Sequence, residues 1–586
     1  MTDLKDQWKH CIAKALTQLA KEGGLDIQIQ DAQVIVEVPP RPELGDLGFP
    51  LFSFAKVLRK APPVIAQAVV STISADGTCK DLGQVFAEGP YVNLRLPKAS
   101  VVSSVLEAVL DETIPVGRPG KLQGRRIMVE FSSPNTNKPL HLGHLRNDVL
   151  GESIARILAA CGAQVHKVCI INDRGIHICK SMLAYMEQGN GSTPESVGLK
   201  SDRFVGDWYV RFHRLSQEDP TAEKRAQELL IKWEAGDPPT VELWKKMNQW
   251  AVEGIKRTYE RTGVSFDRYY FESQTYLEGK NEVLRGLEKG IFYKDDDGSV
   301  WIDLTSEGLD KKVLLRKDGT SLYITQDIGT AISRRRDWEF DQLVYVVGSE
   351  QQYHFKVLFK VLEKLGFSWA KNLYHLSYGM VNLPEGKMKS REGTVVDADD
   401  LIDSLKDMAL QEIRDKDRED AVGDGDAVAE KIALGALHYY LLQISPTKDM
   451  LFNPKESLSF NGNTGPYLQY MGARISSMLK KEKGSSASQG TIKPELLTDD
   501  AEWELAKTLG NYAEAVADAA TKMDPSIVAT YLYDLSKAFS RFYHDCPILN
   551  APTADLAATR LALARSTLRV LRDALQLICI PFLEAM

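Results

Sequence analysis

Nowhere in its 586 residues does this chain carry the roughly 18 consecutive apolar residues that a membrane-spanning helix needs. Its opening, Met1-Thr2-Asp3-Leu4-Lys5-Asp6-Gln7-Trp8-Lys9-His10, is charged and lacks the apolar centre of a signal peptide. The seven cysteines are scattered and never spaced C-x-x-C, so neither a zinc ribbon nor a disulfide frame is expected. They read as free thiols in a reducing compartment, and the cytoplasm is the expected home. His177 and Cys179 lie close together without a second ligand pair, so no structural metal is expected. An excess of basic charge is missing as well: 72 Lys and Arg stand against 80 Asp and Glu, a net charge of −8. That argues mildly against nucleic acid, although a basic stripe can sit on an acidic body, because a ligand feels local potential. What is present is the composition of a soluble globular protein, 44% hydrophobic and 26% charged, in a chain long enough for about three or four domains.

One segment carries most of the chemical information. The alternating run Ile127-Met128-Val129-Glu130-Phe131 reads as a buried strand. It leads into Ser132-Ser133-Pro134-Asn135-Thr136-Asn137-Lys138-Pro139-Leu140-His141-Leu142-Gly143-His144. Apolar residues at Leu145, Val149, Ile154, Ile157, Leu158 and Cys161 then predict a helix. His141, Gly143 and His144 therefore sit on a strand-to-helix turn, where free N–H groups and the positive end of the helix dipole favour phosphate. Gly143 lets a flat group approach the backbone, two imidazoles can donate hydrogen bonds, and Lys138 adds a mobile cation three residues upstream.

Residues 1 to about 115 read as a separate α/β module, with helices at 4–22 and 54–71 and strands at 33–38 and 91–96. Pro115, Gly117, Pro119 and Gly120 mark a linker. From 116 to 400, strands at 126–131, 165–171 and 343–347 alternate with helices, which predicts a Rossmann-like α/β parallel sheet. The stretch near 172–320, with a hairpin-like segment at 292–304, reads as an insertion. A connecting segment, 401–427, contains the charged run Asp415-Lys416-Asp417-Arg418-Glu419-Asp420. Residues 428–586 read as an all-α bundle, interrupted by a flexible connector at 484–490.

The H-x-G-H tetrad, with Glu-Phe-Ser-Ser-Pro-Asn and Lys-Pro-Leu ahead of it, resembles the ATP signature of class I aminoacyl-tRNA synthetases, and within them the arginyl-tRNA synthetases. Asn463-Thr464-Gly465-Pro466-Tyr467-Leu468-Gln469-Tyr470 resembles the helical anticodon-binding domain of that family, and the first module resembles its addition that touches the tRNA elbow. Glu385-Gly386-Lys387-Met388-Lys389-Ser390-Arg391-Glu392 resembles the K-M-S-K-S loop that closes over pyrophosphate. It departs at Lys389, where serine is usual, and at Glu392, where the family often has lysine. Arginyl enzymes often lack that second lysine and carry one before H-x-G-H instead, which Lys138 matches.

The resemblance implies a monomeric enzyme that joins L-arginine to arginine tRNA through an arginyl-adenylate, releasing AMP and pyrophosphate, with ATP and its Mg2+ as substrate. Activation needs no catalytic base, because the amino-acid carboxylate is already the nucleophile. The implied catalytic residues are Lys138, His141, His144, Lys387 and Arg391, and His141, Gly143, His144, Lys387 and Met388 hold ATP. Glu130, Ser132, Asn135, Tyr323, Asp327 and Gln351 occupy the arginine-binding positions. Glu130 and Asp327 are to grip the guanidinium as a carboxylate pair, and Tyr323, four residues before Asp327, is to fix its plane. A smaller H-x-G-H nucleotidyltransferase would lack residues 428–586, and a cysteinyl synthetase would need zinc-ligand cysteines. A noncatalytic RNA-binding paralogue is the reading of another class. The presence of both histidines and Lys387 counts against it, while Lys389 and Glu392 leave it open.

Overall fold

The computed structural model describes residues 2–77, 79–382, 384, 396–415, 423–482 and 490–586. Its central feature is a five-stranded sheet of β1 (Arg126–Glu130), β2 (Gln164–Ile171), β3 (Arg268–Phe271), β4 (Gln342–Gly348) and β5 (Leu373–Tyr378), ordered β5-β4-β1-β2-β3. Every ladder is parallel. Strands covered on both faces need apolar side chains at successive positions, and Ile127, Met128 and Val129 in β1 and Leu343 to Val346 in β4 are all buried. Helix α1 (Leu142–Ala160) follows β1 and buries Leu145, Val149, Ile154, Ile157 and Leu158, the stripe read from the sequence. Strand order runs outward from β1 through β2 to β3, then resumes on the other side at β4. The carboxyl ends of β1 and β4, paired with Tyr345 opposite Glu130, therefore form the switch point where ligands of such sheets bind.

The stretch expected as one insertion at 172–320 instead returns to the main sheet partway along. Helices Ile176–Gln188, Ser201–Glu218, Ala222–Glu234 and Pro238–Thr262 pack around Tyr185, Phe204, Trp208 and Trp250. The chain then adds β3 at the sheet edge and continues into α2 (Glu272–Glu288). The strand is only four residues long, too short to show a period of its own. The hairpin-like segment belongs to a separate antiparallel sheet of Tyr293–Lys294, Val300–Ile302 and Lys312–Leu315. Helices α3 (Tyr323–Asp337) and α4 (Gln352–Lys364) flank β4 in sequence.

The described residues divide into two compact units. The sheet lies in the unit formed by Arg118–Ala473, Val516–Leu532 and Ala574–Met586. The last of these segments is part of that unit's interior: Ile578, Ile580 and Leu583 are buried. Ser153 Oγ donates to the Leu577 carbonyl (2.9 Å), and Gln469 Nε2 to the Pro581 carbonyl (2.8 Å).

The other unit combines Met1–Gly117, Arg474–Ala515 and Tyr533–Asp573. Helix Thr2–Glu22 and an antiparallel sheet, with Tyr91–Arg95 between Leu47–Pro50 and Gln84–Glu88, make its amino-terminal part. Within this unit Lys5 Nζ pairs with Glu514 (2.5 Å), and Trp503 Nε1 donates to Asp46 (2.8 Å). Three expectations are corrected here. Residues 33–38 form no strand beyond a single bridge from Glu37 to Gly48, and Ile35 and Val38 face solvent; the strand lies at Leu47–Pro50 instead. The expected helix at 54–71 is broken into Ala55–Leu58 and Pro62–Asp76, because Pro62 and Pro63 cannot continue a helix but can begin one. The cysteines are not all free: Cys11 and Cys79, 68 residues apart, form a disulfide between helix Thr2–Glu22 and the turn after Pro62–Asp76. Nothing in their spacing announced it.

The helical expectation for the last third is met by Gly425–Leu442, Gly465–Lys480, Asp500–Gly510, Tyr512–Lys522, Ser526–Asp545 and Ala554–Leu577. Most of the expected loops at 415–420 and 484–490 lies outside the described residues. Among those described, no helix is long and apolar enough to cross a membrane.

Candidate active site

The H-x-G-H turn caps α1 with its own imidazoles. His141 Nδ1 accepts from the Gly143 N–H (3.1 Å), and His144 Nδ1 accepts from the His141 N–H (3.2 Å). Each ring thereby uses Nδ1 as an acceptor, which in the neutral ring leaves the proton on Nε2. The rings lie 3.9 Å apart, centroid to centroid. Burial, with the Lys138 charge alongside, pushes His141 down to about 3 and His144 well below the ordinary imidazole range. Both histidines are therefore neutral at neutral pH, each with an Nε2–H available to donate. The positive charge comes from the helix end and from Lys138, which is half-buried and ion-paired to no described residue. The flat group against Gly143 is the His141 ring itself: a Cβ there would sit 3.0 Å from Cε1.

Behind the turn, α1 supplies residues that sequence reasoning missed. Arg146 is buried and donates to four carbonyls, Gly379 (2.6 Å), Met380 (3.1 Å), Pro446 (3.2 Å) and Lys448 (2.7 Å). Asn147 accepts from the Ser132 N–H (2.5 Å) and donates to the Val346 carbonyl (2.8 Å), so one amide spans the ends of β1 and β4. Ser132 and Ser133 both take positive φ, 73° and 52°, a costly conformation that the Asn147 bond helps to hold. Asp148 is wholly buried and its carboxyl oxygens make no well-formed hydrogen bond; the nearby Ser132 hydroxyl is shared with Tyr259 at 2.6 Å. Burial pushes the Asp148 carboxyl up to about 8. On the far side, His141 bridges to Asp397, and the Ala398 N–H donates to the Leu140 carbonyl (2.9 Å). Lys387, Met388 and Arg391 of the expected second phosphate loop lie outside the described residues.

Of the residues expected to bind arginine, Glu130, Ser132 and Asn135 lie at or just after the carboxyl end of β1 and Gln351 just after that of β4, while Tyr323 and Asp327 lie on α3. Glu130 is buried, and its partner is Arg334 of this chain, with a weaker contact from Ser133 Oγ (3.3 Å). Arg334 lies between the Tyr270 and Tyr345 rings, 5.2 and 5.8 Å from their centroids. A buried strand carboxylate did require a cation, but α3 supplies it. Arg334 stands seven residues after Asp327, two turns along α3, and that spacing was the available signal. Asp327 is the more open carboxylate; its Oδ2 lies 2.6 Å from His354 Nε2 on α4. Its negative charge raises the carboxyls of both Glu130 and Glu272, as a smaller effect beside their burial. Glu272, buried at the start of α2 and pushed up to about 7 mainly by burial, was not foreseen. Arg174 offsets that effect in part and stacks on Tyr276 at 4.1 Å. Tyr323 begins α3 one turn from Asp327 and is 76% exposed. Gln351 is exposed just beyond β4, and half-buried Asn135 continues the sheet pairing through a bridge to Asn172.

Comparison with known proteins agrees along the whole chain. The family model described as tRNA synthetases class I (R), catalytic domain, matches residues 108–454. The arginyl tRNA synthetase N terminal domain matches 6–96, and the DALR anticodon binding domain matches 468–586. A protein from Treponema denticola named arginine–tRNA ligase is 60% identical over 100% of both chains. The chain belongs to the arginyl-tRNA synthetase family. Its similarity to the arginine–tRNA ligase of Borrelia hermsii is 44% identity over 100% of this chain and 99% of that one. The solved arginyl-tRNA synthetase of Thermus thermophilus superposes with a TM-score of 0.82 at 27% identity, covering 99% of this chain and 100% of its own. Membership of this family, with its three matched domains, removes the smaller nucleotidyltransferase and the cysteinyl synthetase from consideration.

Proposed function

We propose that this chain joins L-arginine to arginine tRNA at the expense of ATP, through an arginyl-adenylate, releasing AMP and pyrophosphate. The observation that carries the reading is the pair of neutral Nε2–H donors and Lys138, ion-paired to no described residue, ahead of α1, set beside Glu130 and Asp327 near the switch point. Triphosphate on one side and a cationic side chain on the other would bring the arginine carboxylate in line with the α-phosphate.

In this reading His141 and His144 donate to phosphate oxygens, and Lys138 neutralises charge that builds on them as pyrophosphate leaves. Mg2+ enters with ATP as part of the nucleotide substrate. Lys387, Met388 and Arg391 complete the phosphate site from the second loop. Asp327 takes the guanidinium, with Tyr323 against its plane and Glu130, neutralised by Arg334, behind it. Ser132, Asn135 and Gln351 hold the remaining polar groups of the substrate. Residues 1–115 meet the tRNA elbow, 116–400 hold the catalytic site, 401–427 connect, and 428–586 meet the anticodon arm. The enzyme works as a cytoplasmic monomer.

The test is ATP–pyrophosphate exchange with each of the twenty amino acids, with and without arginine tRNA. Exchange should appear with arginine alone among them, and only when tRNA is present, because RNA binding favours the closed catalytic state. Exchange with another amino acid would overturn the substrate assignment. Vigorous exchange without RNA would overturn the tRNA requirement.

A further inference from the structure

Glu130, Glu272 and Asp327 are not equally available to a cationic substrate. Glu130 is engaged by Arg334 and Ser133. Glu272 is buried, and with its amide nitrogen turned toward α2, Gln326 donates to it at 2.6 Å. Asp327 is engaged through one oxygen only: Oδ2 meets His354 Nε2 at 2.6 Å, and Oδ1 accepts a hydrogen bond from no described residue. A carboxylate is an acceptor, so the His354 nitrogen facing it must carry the proton. His354 lies in the first turn of α4, and its ring edge packs on Phe355 with centroids 5.7 Å apart. The imidazole thus sits between Phe355 and Asp327, with its Nε2 on a single carboxylate oxygen.

Rotation of the Asp327 carboxylate plane decides what the carboxylate can accept. A guanidinium presents parallel N–H donors in one plane and is bound well only by a coplanar carboxylate, whereas an ammonium makes no such demand. A terminal carboxylate torsion is broad when nothing holds it. We propose that His354 is a positioning residue that locks the Asp327 carboxylate in the plane required by a guanidinium, and so contributes to selection of arginine. The inference rests on the reading of Asp327 as the guanidinium acceptor.

The test compares His354→Leu, which removes the donor, with His354→Gln, whose amide nitrogen replaces Nε2, and His354→Asn, whose amide is too short to reach. Asp327→Asn serves as the reference. In tRNA-dependent exchange, His354→Leu and His354→Asn should raise the arginine KM at least tenfold while the ATP KM changes less than twofold. His354→Gln should return the arginine KM to within about threefold of the parent. In the Asp327→Asn background, His354→Leu should cost little more, since the group it positions is already altered. An unchanged arginine KM in both His354→Leu and His354→Asn, with Asp327→Asn impaired, would overturn the role of His354 and leave that of Asp327 standing. An unchanged arginine KM in Asp327→Asn would overturn the underlying reading. Where His354→Leu does not fold, the contrast between His354→Gln and His354→Asn decides: equal KM values overturn the proposal.

Discussion

Lys138 has no ion-pair partner among the described residues and brings its charge to a proposed phosphate site whose two imidazoles are neutral, so removing it should be felt in chemistry rather than in folding. Lys138→Ala should slow arginine activation tenfold or more, about 1.4 kcal/mol per decade, with the melting temperature nearly unchanged. Pyrophosphate exchange and thermal melting on the same preparation check this; intact turnover would show that the second loop supplies enough charge by itself. Asp148 is the opposite case, a charge kept out of the protein. Its folded carboxyl is raised to about 8 from an ordinary value of 3.8. The folded state holds its proton while the unfolded state releases it, so stability from this group is intact below the lower value and lost as pH rises through the higher one. Asp148→Asn resembles the protonated acid and cannot ionise. Its melting temperature should match the parent near pH 4 and exceed it increasingly toward pH 8. Parallel curves over that range would show that Asp148 is not held neutral.

Helix α1 is the element on which the site converges: its cap holds the two histidines, Asn147 ties β1 to β4, and Arg146 ties two loops together. The four carbonyls around Arg146 need a planar fork, and lysine offers one compact ammonium in its place. Arg146→Lys should cost about 3 kcal/mol of stability, since at least one buried carbonyl loses its partner, and denaturant unfolding would measure it. A loss below about 0.5 kcal/mol would mean the loops hold without the fork. This element also marks how far the sequence could be read. The turn from Glu130 to His144 was legible because strand, turn and helix are contiguous and each announces itself through its own period. Arg146 and Asn147 were not, because their partners lie 233 and 199 residues away and a polar residue on a helix carries no sign of what it will meet. Asp327 was readable as a carboxylate one turn from Tyr323, whereas its contact with His354 depends on how α3 and α4 cross. The expected strand at 33–38 failed for a related reason. The strand Leu47–Pro50 lies alongside, but only Glu37 pairs with it, through Gly48, while Ile35 and Val38 turn to solvent.

On the scale of the whole molecule, the Cys11–Cys79 bridge closes a long loop in the unit that lacks the parallel sheet. Closing a loop of this length restricts the unfolded chain by about 4 kcal/mol in the loop-entropy account. Cys11→Ser, or a reductant, should therefore lower the melting of that unit, while exchange at low temperature persists. If reduction leaves calorimetric melting unchanged, the bridge contributes nothing to stability. Residues 574–586 have a consequence in time. They lie inside the unit that holds the β1–β4 crevice, and Ser153 on α1 itself bonds to Leu577. A ribosome adds roughly 5–20 residues per second. For about 10–40 seconds of synthesis, between Tyr378 and Ala574, the nascent chain carries a parallel sheet whose last packing partners have not yet emerged. Parallel pairings form slowly even in a finished chain, and unpaired edges invite aggregation. Premature stops in the last few codons should yield a protein short by little in mass but missing a wall of its catalytic unit.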